Sequence, residues 1–219
     1  MDNNTHLIQG RAAAIRIENL DTDQIIPKQF LRGIDKTGLA DGILYDLRFD
    51  EQGVVRPDFV LNRPEYSGVN ILIGGSNFGC GSSREHAVWG LQQYGIQAVI
   101  APSFGEIFYS NAMNNRLILV MLSQSQIDVL IANTEHPNTN DVRIDVQQLR
   151  VQSRNVDAPF AISSRHQQMY LDNLDVIGLS LTHQKKIDDF STRHWSLHPW
   201  MQDVAGKTRT RLDQRSKQA

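Results

Sequence analysis

The residues with the most chemical potential lie together in Asn77 to Ala87, NFGCGSSREHA. Gly79 and Gly81 flank Cys80, and Ser82, Ser83, Arg84, Glu85 and His86 follow directly. Glycine accepts tight backbone conformations, so the segment reads as a turn leading from a strand into a helix. Backbone N–H groups at a helix start, together with the helix dipole, attract negative charge. Arg84 adds a planar fork of donors suited to a carboxylate. The expected ligand is an anion, and a carboxylate or a phosphate would serve.

Other readings of the same residues stand beside that one. Ser82 and Glu85 match the S-x-x-E capping box, and Ser83 could instead cap the helix while Ser82 faces the ligand. Cys80 or Ser82 with His86 could form a nucleophile and base, although the glycines precede the serines and the segment is no G-x-S-x-G elbow. A second group of candidates, Asp21 and Asp23 in NLDTD, has the composition of an ordinary turn.

The elements that must position these residues alternate. Apolar, β-branched runs at 12–17, 69–73, 97–101 and 117–122 read as strands. Segments 84–94, 106–115 and 125–132 read as helices between them. Strand–helix alternation implies right-handed crossovers and a parallel sheet covered by helices. The fold class expected is α/β, a mostly parallel core sheet flanked by helices, with additional antiparallel strands from the half-exposed stretch 142–151. Ser163 or Ser164 can cap a helix over 165–173, with Asn173 as its left-handed end. Residues 177–181 read as one more strand and 183–190 as a last helix. Residues 33–64 have no clean period and read as a long, partly ordered loop. The domain expected is 1–190, followed by a polar, basic and mobile tail over 191–219.

Composition narrows the function. The chain has 219 residues, 40% of them hydrophobic, and a net charge of −2. Nucleic-acid or anionic-membrane binding would call for a basic stripe, so neither partner is expected. No window approaches the roughly 18 apolar residues of a membrane span. The start, MDNNTHLIQG, lacks the apolar core of a secretory signal. One cysteine rules out an internal disulfide, and the expected setting is the cytoplasm.

NFGCGSSREHA resembles the active-site loop of the aconitase superfamily's mobile, swivelling domain. Asp21 to Phe30, DTDQIIPKQF, resembles the N-terminal signature of isopropylmalate dehydratase small subunits. APSFGEIF at 101–108, with Asn111, Asn114 and Asn115 after it, and NLDVIG at 173–178 extend the likeness. In the last, Asn173 stands where the family has glycine, and asparagine tolerates the left-handed conformation.

That resemblance implies a hydro-lyase subunit of leucine biosynthesis. Such enzymes interconvert 2- and 3-isopropylmalate through isopropylmaleate, with a [4Fe-4S] cluster binding the departing hydroxyl as a Lewis acid. Cluster ligation takes three or four cysteine thiolates. The resemblance therefore implies no cofactor on this chain and a cluster on a large subunit, in a heterodimer or heterotetramer. Ser82 matches the family's base and Arg84 its substrate-carboxylate arginine. Asp21 matches an aspartate on the facing loop, while Asp23, Gly81, Ser83 and His86 take supporting places around the substrate. Lys28, Gln29, Phe30, Leu31 and Arg32 are the candidates for meeting the substituent that varies between substrates. A related 2-hydroxy diacid, of citramalate or homoaconitate type, is the alternative within the class. An independent serine or cysteine hydrolase is the alternative outside it.

Overall fold

A computed structural model describes residues 6–31 and 37–216. It divides into two compact units, Met1–Asp175 and Val176–Ala219.

The first unit is built on one seven-stranded sheet. Its strands are β1 (Leu7–Ile15), β2 (Ile71–Gly74), β3 (Ala98–Ala101), β4 (Ile118–Met121), β5 (Asp141–Asp145), β6 (Arg150–Ser153) and β7 (Asp157–Pro159). They lie in the order β4-β3-β2-β1-β5-β6-β7. β1 to β4 run parallel, and β5 to β7 continue the sheet antiparallel. β1 is the hinge of this mixed sheet. Its first half pairs antiparallel with β5, Leu7 opposite Asp145, and its second half pairs parallel with β2, Ala12 opposite Ile71.

The residues account for the pattern. β2 and β3 are buried at every position, as the two covered faces of a parallel sheet require. β5 alternates, with Val142 and Ile144 buried between exposed Asp141 and Arg143, because one of its faces meets solvent. Short helices α1 (Thr22–Ile25) and α2 (Tyr45–Arg48) follow β1. The helices α3 (His86–Tyr94), α4 (Glu106–Asn114), α5 (Gln124–Asn133) and α6 (Ser164–Leu171) complete the unit. Ser163 caps α6 by accepting the His166 N–H, and Asn173 is left-handed at φ 55° after it. The stretch expected to be loop, beyond residue 36, holds α2 and three single 3-10 turns.

Three expectations change. Residues 177–181 are not a strand: they lie in the helix α7 (Val176–Leu181). A strand needs an edge to pair with, whereas a helix satisfies its own backbone groups. This segment pairs with neither β4 nor β7. The division between units falls after Asp175 rather than at residue 190. Residues 191–216, expected to belong to a polar, basic and mobile tail, are largely helical: α8 (Gln184–Leu197) runs through their start and α9 (Val204–Ser216) follows a turn at Pro199–Met201. Ile187, Phe190 and Leu197 recur at helical spacing along α8, a period that continues past the point where it was expected to stop. Asp203 then starts α9, its Oδ1 accepting the Gly206 N–H at 3.1 Å. No helix among the described residues is long and apolar enough to cross a membrane.

Candidate active site

The parallel half of the sheet ends its strands on one side. There the loops after β1, β2 and β3 stack on one another, and such carboxyl ends are where α/β sheets bind ligands. Phe78 N–H donates to the Ser103 carbonyl at 3.1 Å, and Gly105 N–H returns a bond to Phe78 at 2.9 Å. On the other side Gly79 N–H donates to Leu20 at 2.7 Å, and Thr22 N–H donates to Cys80 at 2.9 Å. The middle loop is thus laced to both neighbours through its backbone.

Glycine is needed where the stack is tightest. A Cβ on Gly105 would lie 2.6 Å from the Gly79 carbonyl oxygen. Gly79 has φ +76°, and a Cβ there would meet the ring of Phe108 at 2.3 Å. Buried Phe78 anchors the loop in the core between Phe104 and Phe108.

Asp21 and Asp23 take different tasks. Asp21 closes a capping box on α1: its Oδ1 accepts the Gln24 N–H at 2.7 Å, and the Gln24 side chain accepts the Asp21 N–H at 3.1 Å. Asp23 Oδ1 pairs with Nη1 of Arg84. Between them Thr22, 1% exposed, sets its hydroxyl 3.0 Å from Ser82 Oγ and 3.3 Å from the Ser82 carbonyl oxygen. The two loops that sequence analysis could only set side by side therefore touch through side chains, residue for residue.

The helix α3 starts at His86, two residues later than expected, and no side chain caps it. Neither Ser82 nor Ser83 is a cap, so the S-x-x-E box does not form. Glu85 instead receives a hydrogen bond from Asn115 Nδ2. Among the described residues, the N–H groups of Gly81 through Ala87 donate to no protein acceptor. They form a run of free donors beside Ser82, which is exposed, and Arg84, which is partly buried. This arrangement suits an anion. His86 turns its ring edge-on to Trp89, centroids 4.9 Å apart. The Cys80 thiol donates to the Asn19 carbonyl at 3.2 Å.

Helix α4 and its C-terminal cap hold this loop from behind through Asn111 and Asn115, whose role the sequence alone does not disclose. Asn111 Nδ2 donates to the Ser83 carbonyl at 3.4 Å. Asn115 also accepts the Trp89 indole N–H at 3.1 Å and donates to the Asn111 carbonyl at 2.9 Å. Their four-residue spacing, one helical turn, was the available signal.

The segment Lys28 to Phe30 is a 3-10 turn. Phe30 packs on Tyr45, centroids 4.9 Å apart, and a Cβ on Gly42 would strike its ring at 2.5 Å. Phe30 is therefore an anchor of the loop. Leu31 is half-buried against the core, Lys28 and Gln29 are exposed, and Arg32 lies outside the described residues.

A [4Fe-4S] cluster does not fit this chain's own residues. One cysteine cannot supply the three or four thiolates such a cluster takes. Among the described residues no three His, Cys, Asp or Glu side chains are grouped to hold a metal ion.

Residues 4–125 match the aconitase C-terminal domain family. The 3-isopropylmalate dehydratase small subunit 1 of Chromobacterium violaceum is 57% identical over 205 residues, covering 94% of this chain and 97% of that protein. The 3-isopropylmalate dehydratase small subunit of Phenylobacterium zucineum is 44% identical over 196 residues, 89% of this chain and 96% of its own. Among solved structures, a 3-isopropylmalate dehydratase from Methanocaldococcus jannaschii superposes with a TM-score of 0.59 at 28% identity. That match covers 84% of this chain and 99% of that one.

Proposed function

We infer the function from one premise: the chain belongs to the family of 3-isopropylmalate dehydratase small subunits. Its role is that of the small subunit of an isopropylmalate dehydratase, a hydro-lyase of the aconitase superfamily acting in leucine biosynthesis. It works with a large subunit, in a heterodimer or heterotetramer, in the cytoplasm. The large subunit carries the [4Fe-4S] cluster, which supplies Lewis acidity.

The observation that carries this reading is the meeting of the two loops, Thr22 on Ser82 and Asp23 on Arg84. It brings a hydroxyl and a guanidinium together on a loop whose backbone N–H groups donate to no protein acceptor among the described residues. Arg84 grips a substrate carboxylate. Ser82, as alkoxide, accepts the proton from the carbon beside that carboxylate, and the C–H electron pair becomes the new double bond as hydroxide leaves. A serine hydroxyl is a poor base unless its anion is stabilised, and the free N–H groups and Arg84 do so electrostatically. Asp21, Gly81, Ser83 and His86 shape the wall around the substrate. Leu31 meets the group that distinguishes one diacid from another, on the loop that Phe30 anchors.

The hydrolase reading loses ground on one point. The side-chain partner of the Ser82 hydroxyl is Thr22, and the Cys80 thiol is engaged by Asn19. His86 serves neither.

The test is co-purification with a candidate large subunit under anaerobic conditions, followed by assay on 2- and 3-isopropylmalate, citramalate and homoaconitate. Turnover of isopropylmalate by the complex, and by neither chain alone, is the expected result. Dehydration by this chain alone would overturn the two-subunit reading, and preference for another diacid would move the substrate.

A further inference from the structure

We propose that Thr22 is a positioning residue that switches its hydroxyl proton between two acceptors on Ser82, and so sets the basicity of that serine. The inference rests on the role given to Ser82 above.

The geometry dictates the two states. Thr22 Oγ1 lies within hydrogen-bond distance of both the carbonyl oxygen and the hydroxyl of Ser82, at 3.3 and 3.0 Å. A hydroxyl has one proton to give and lone pairs to receive, and a carbonyl can only accept. With Ser82 protonated, both contacts are satisfied in one way only: Thr22 donates to the carbonyl, and the Ser82 O–H donates to Thr22. The serine proton then points inward, and its lone pairs face the open side. When Ser82 gives its proton to solvent, the contact reverses. Thr22 rotates its O–H onto the Ser82 alkoxide and leaves the carbonyl. One buried donor thus serves either protonation state, and it favours the charged one, since hydrogen bonds to ionised acceptors are about twice as strong as neutral ones.

Thr22 is fixed for this task. It is 1% exposed, it is the first residue of α1 behind the Asp21 cap, and its N–H donates to the Cys80 carbonyl at 2.9 Å. Other charged or titratable groups flank Ser82. Asp21 and Asp23 belong to the facing loop, and Cys80, Arg84, Glu85 and His86 to its own. Asp23 is paired with Arg84, and α4 presents uncharged Asn111 to the neighbouring Ser83 carbonyl. Thr22 is the side-chain hydrogen-bond partner of Ser82 Oγ among the described residues, with either hydroxyl able to donate.

The test compares Thr22→Val, Thr22→Ser, Ser82→Ala and the Thr22→Val/Ser82→Ala double variant, each assembled with the large subunit. Thr22→Val keeps shape and removes the proton. We expect it to lower kcat about 10- to 100-fold with KM unchanged. The acid limb of the kcat–pH profile should move up by about one to two pH units. Thr22→Ser should restore both, and Thr22→Val should add nothing to Ser82→Ala. A thermal melt checks assembly. If Thr22→Val does not assemble, Thr22→Ala takes its place with the same expected profile. An unchanged pH profile in a folded Val or Ala variant, or a loss confined to KM, overturns the proposal while leaving Ser82 as base. Wild-type turnover by Ser82→Ala overturns the role of Ser82 itself and this inference with it.

Discussion

Asp23 holds Arg84 by one nitrogen, Nη1, and leaves the Nε–Nη2 edge of the guanidinium without a partner among the described residues. An arginine has five N–H donors in a fixed fork. One carboxylate can therefore orient the side chain while a second is bound along the free edge. Asp23 and Arg84 are 45% and 21% exposed at their side chains, so their attraction is partly screened and contributes about 0–1 kcal/mol to stability. Its main effect is on direction.

Arg84→Lys should therefore leave the melting temperature nearly unchanged and lower kcat/KM about 10- to 100-fold, because an ammonium offers no bidentate edge. Asp23→Asn should also leave stability nearly unchanged and raise KM by less than Arg84→Lys does. Steady-state kinetics and a melt on both variants check this. A larger loss from Asp23→Asn would show that Asp23, not Arg84, meets the substrate.

Ser82→Ala should lower turnover about 10²- to 10⁴-fold, the usual worth of a positioned proton acceptor. Its stability cost should stay near 0.5–1.5 kcal/mol, one hydrogen bond, since Ser82 caps no helix. A rate near wild type with a large drop in melting temperature would contradict the assignment.

Asn115→Ala removes the donor to Glu85 and the acceptor of the Trp89 indole together. Each hydrogen bond lost costs about 0.5–1.5 kcal/mol. At this chain length that lowers the melting temperature by about 2–4 °C per kcal/mol. Turnover should fall as well, because the 82–85 loop loses its rear support. Unchanged hydrogen–deuterium exchange in that loop would argue against such coupling.

Leu31→Arg should lower kcat/KM for isopropylmalate far more than for a smaller or more polar diacid, each substrate methylene being worth about 1–3 kcal/mol in an apolar pocket. Phe30 packs against Tyr45 and Gly42, so Phe30→Arg should unfold the loop and reduce all substrates alike. Equal losses for Leu31→Arg would move the specificity pocket elsewhere.

His166 gives a pH dependence away from the site. Burial, aided by the neighbouring Arg165 charge, holds its pKa below the ordinary 6.5. The unfolded chain then binds this proton more readily than the folded one. Stability is present above pH 6.5 and declines as pH falls from there through the lower folded value. Urea melts between pH 7.5 and 5 should show a shallower acid loss for His166→Gln than for wild type. Parallel curves would assign the loss to other groups.

The strands β1 to β4 and the helices α3 to α6 were legible because each is written in local terms, whereas α1, α2 and β7 were not read from the sequence. Buried runs such as ILIG and AVIA mark a parallel sheet, Ser163 marks a helix start, and Asn173 a left-handed end. These depend on how a short segment satisfies its own backbone and hides its own apolar face. α7 escaped that logic, because a short apolar, β-branched run fits a strand or a helix equally well until a sheet edge is offered or withheld. The site was legible as two segments but not as one place. Nothing local says that Asp21 caps while Asp23 pairs, or that Thr22 reaches Ser82 across 60 positions. Those contacts exist because β1 and β2 run parallel and adjacent, Ile15 beside Gly74, so that the loops leaving them emerge on the same side. The residue types were set by the sequence; which of them meet was decided by strand pairing.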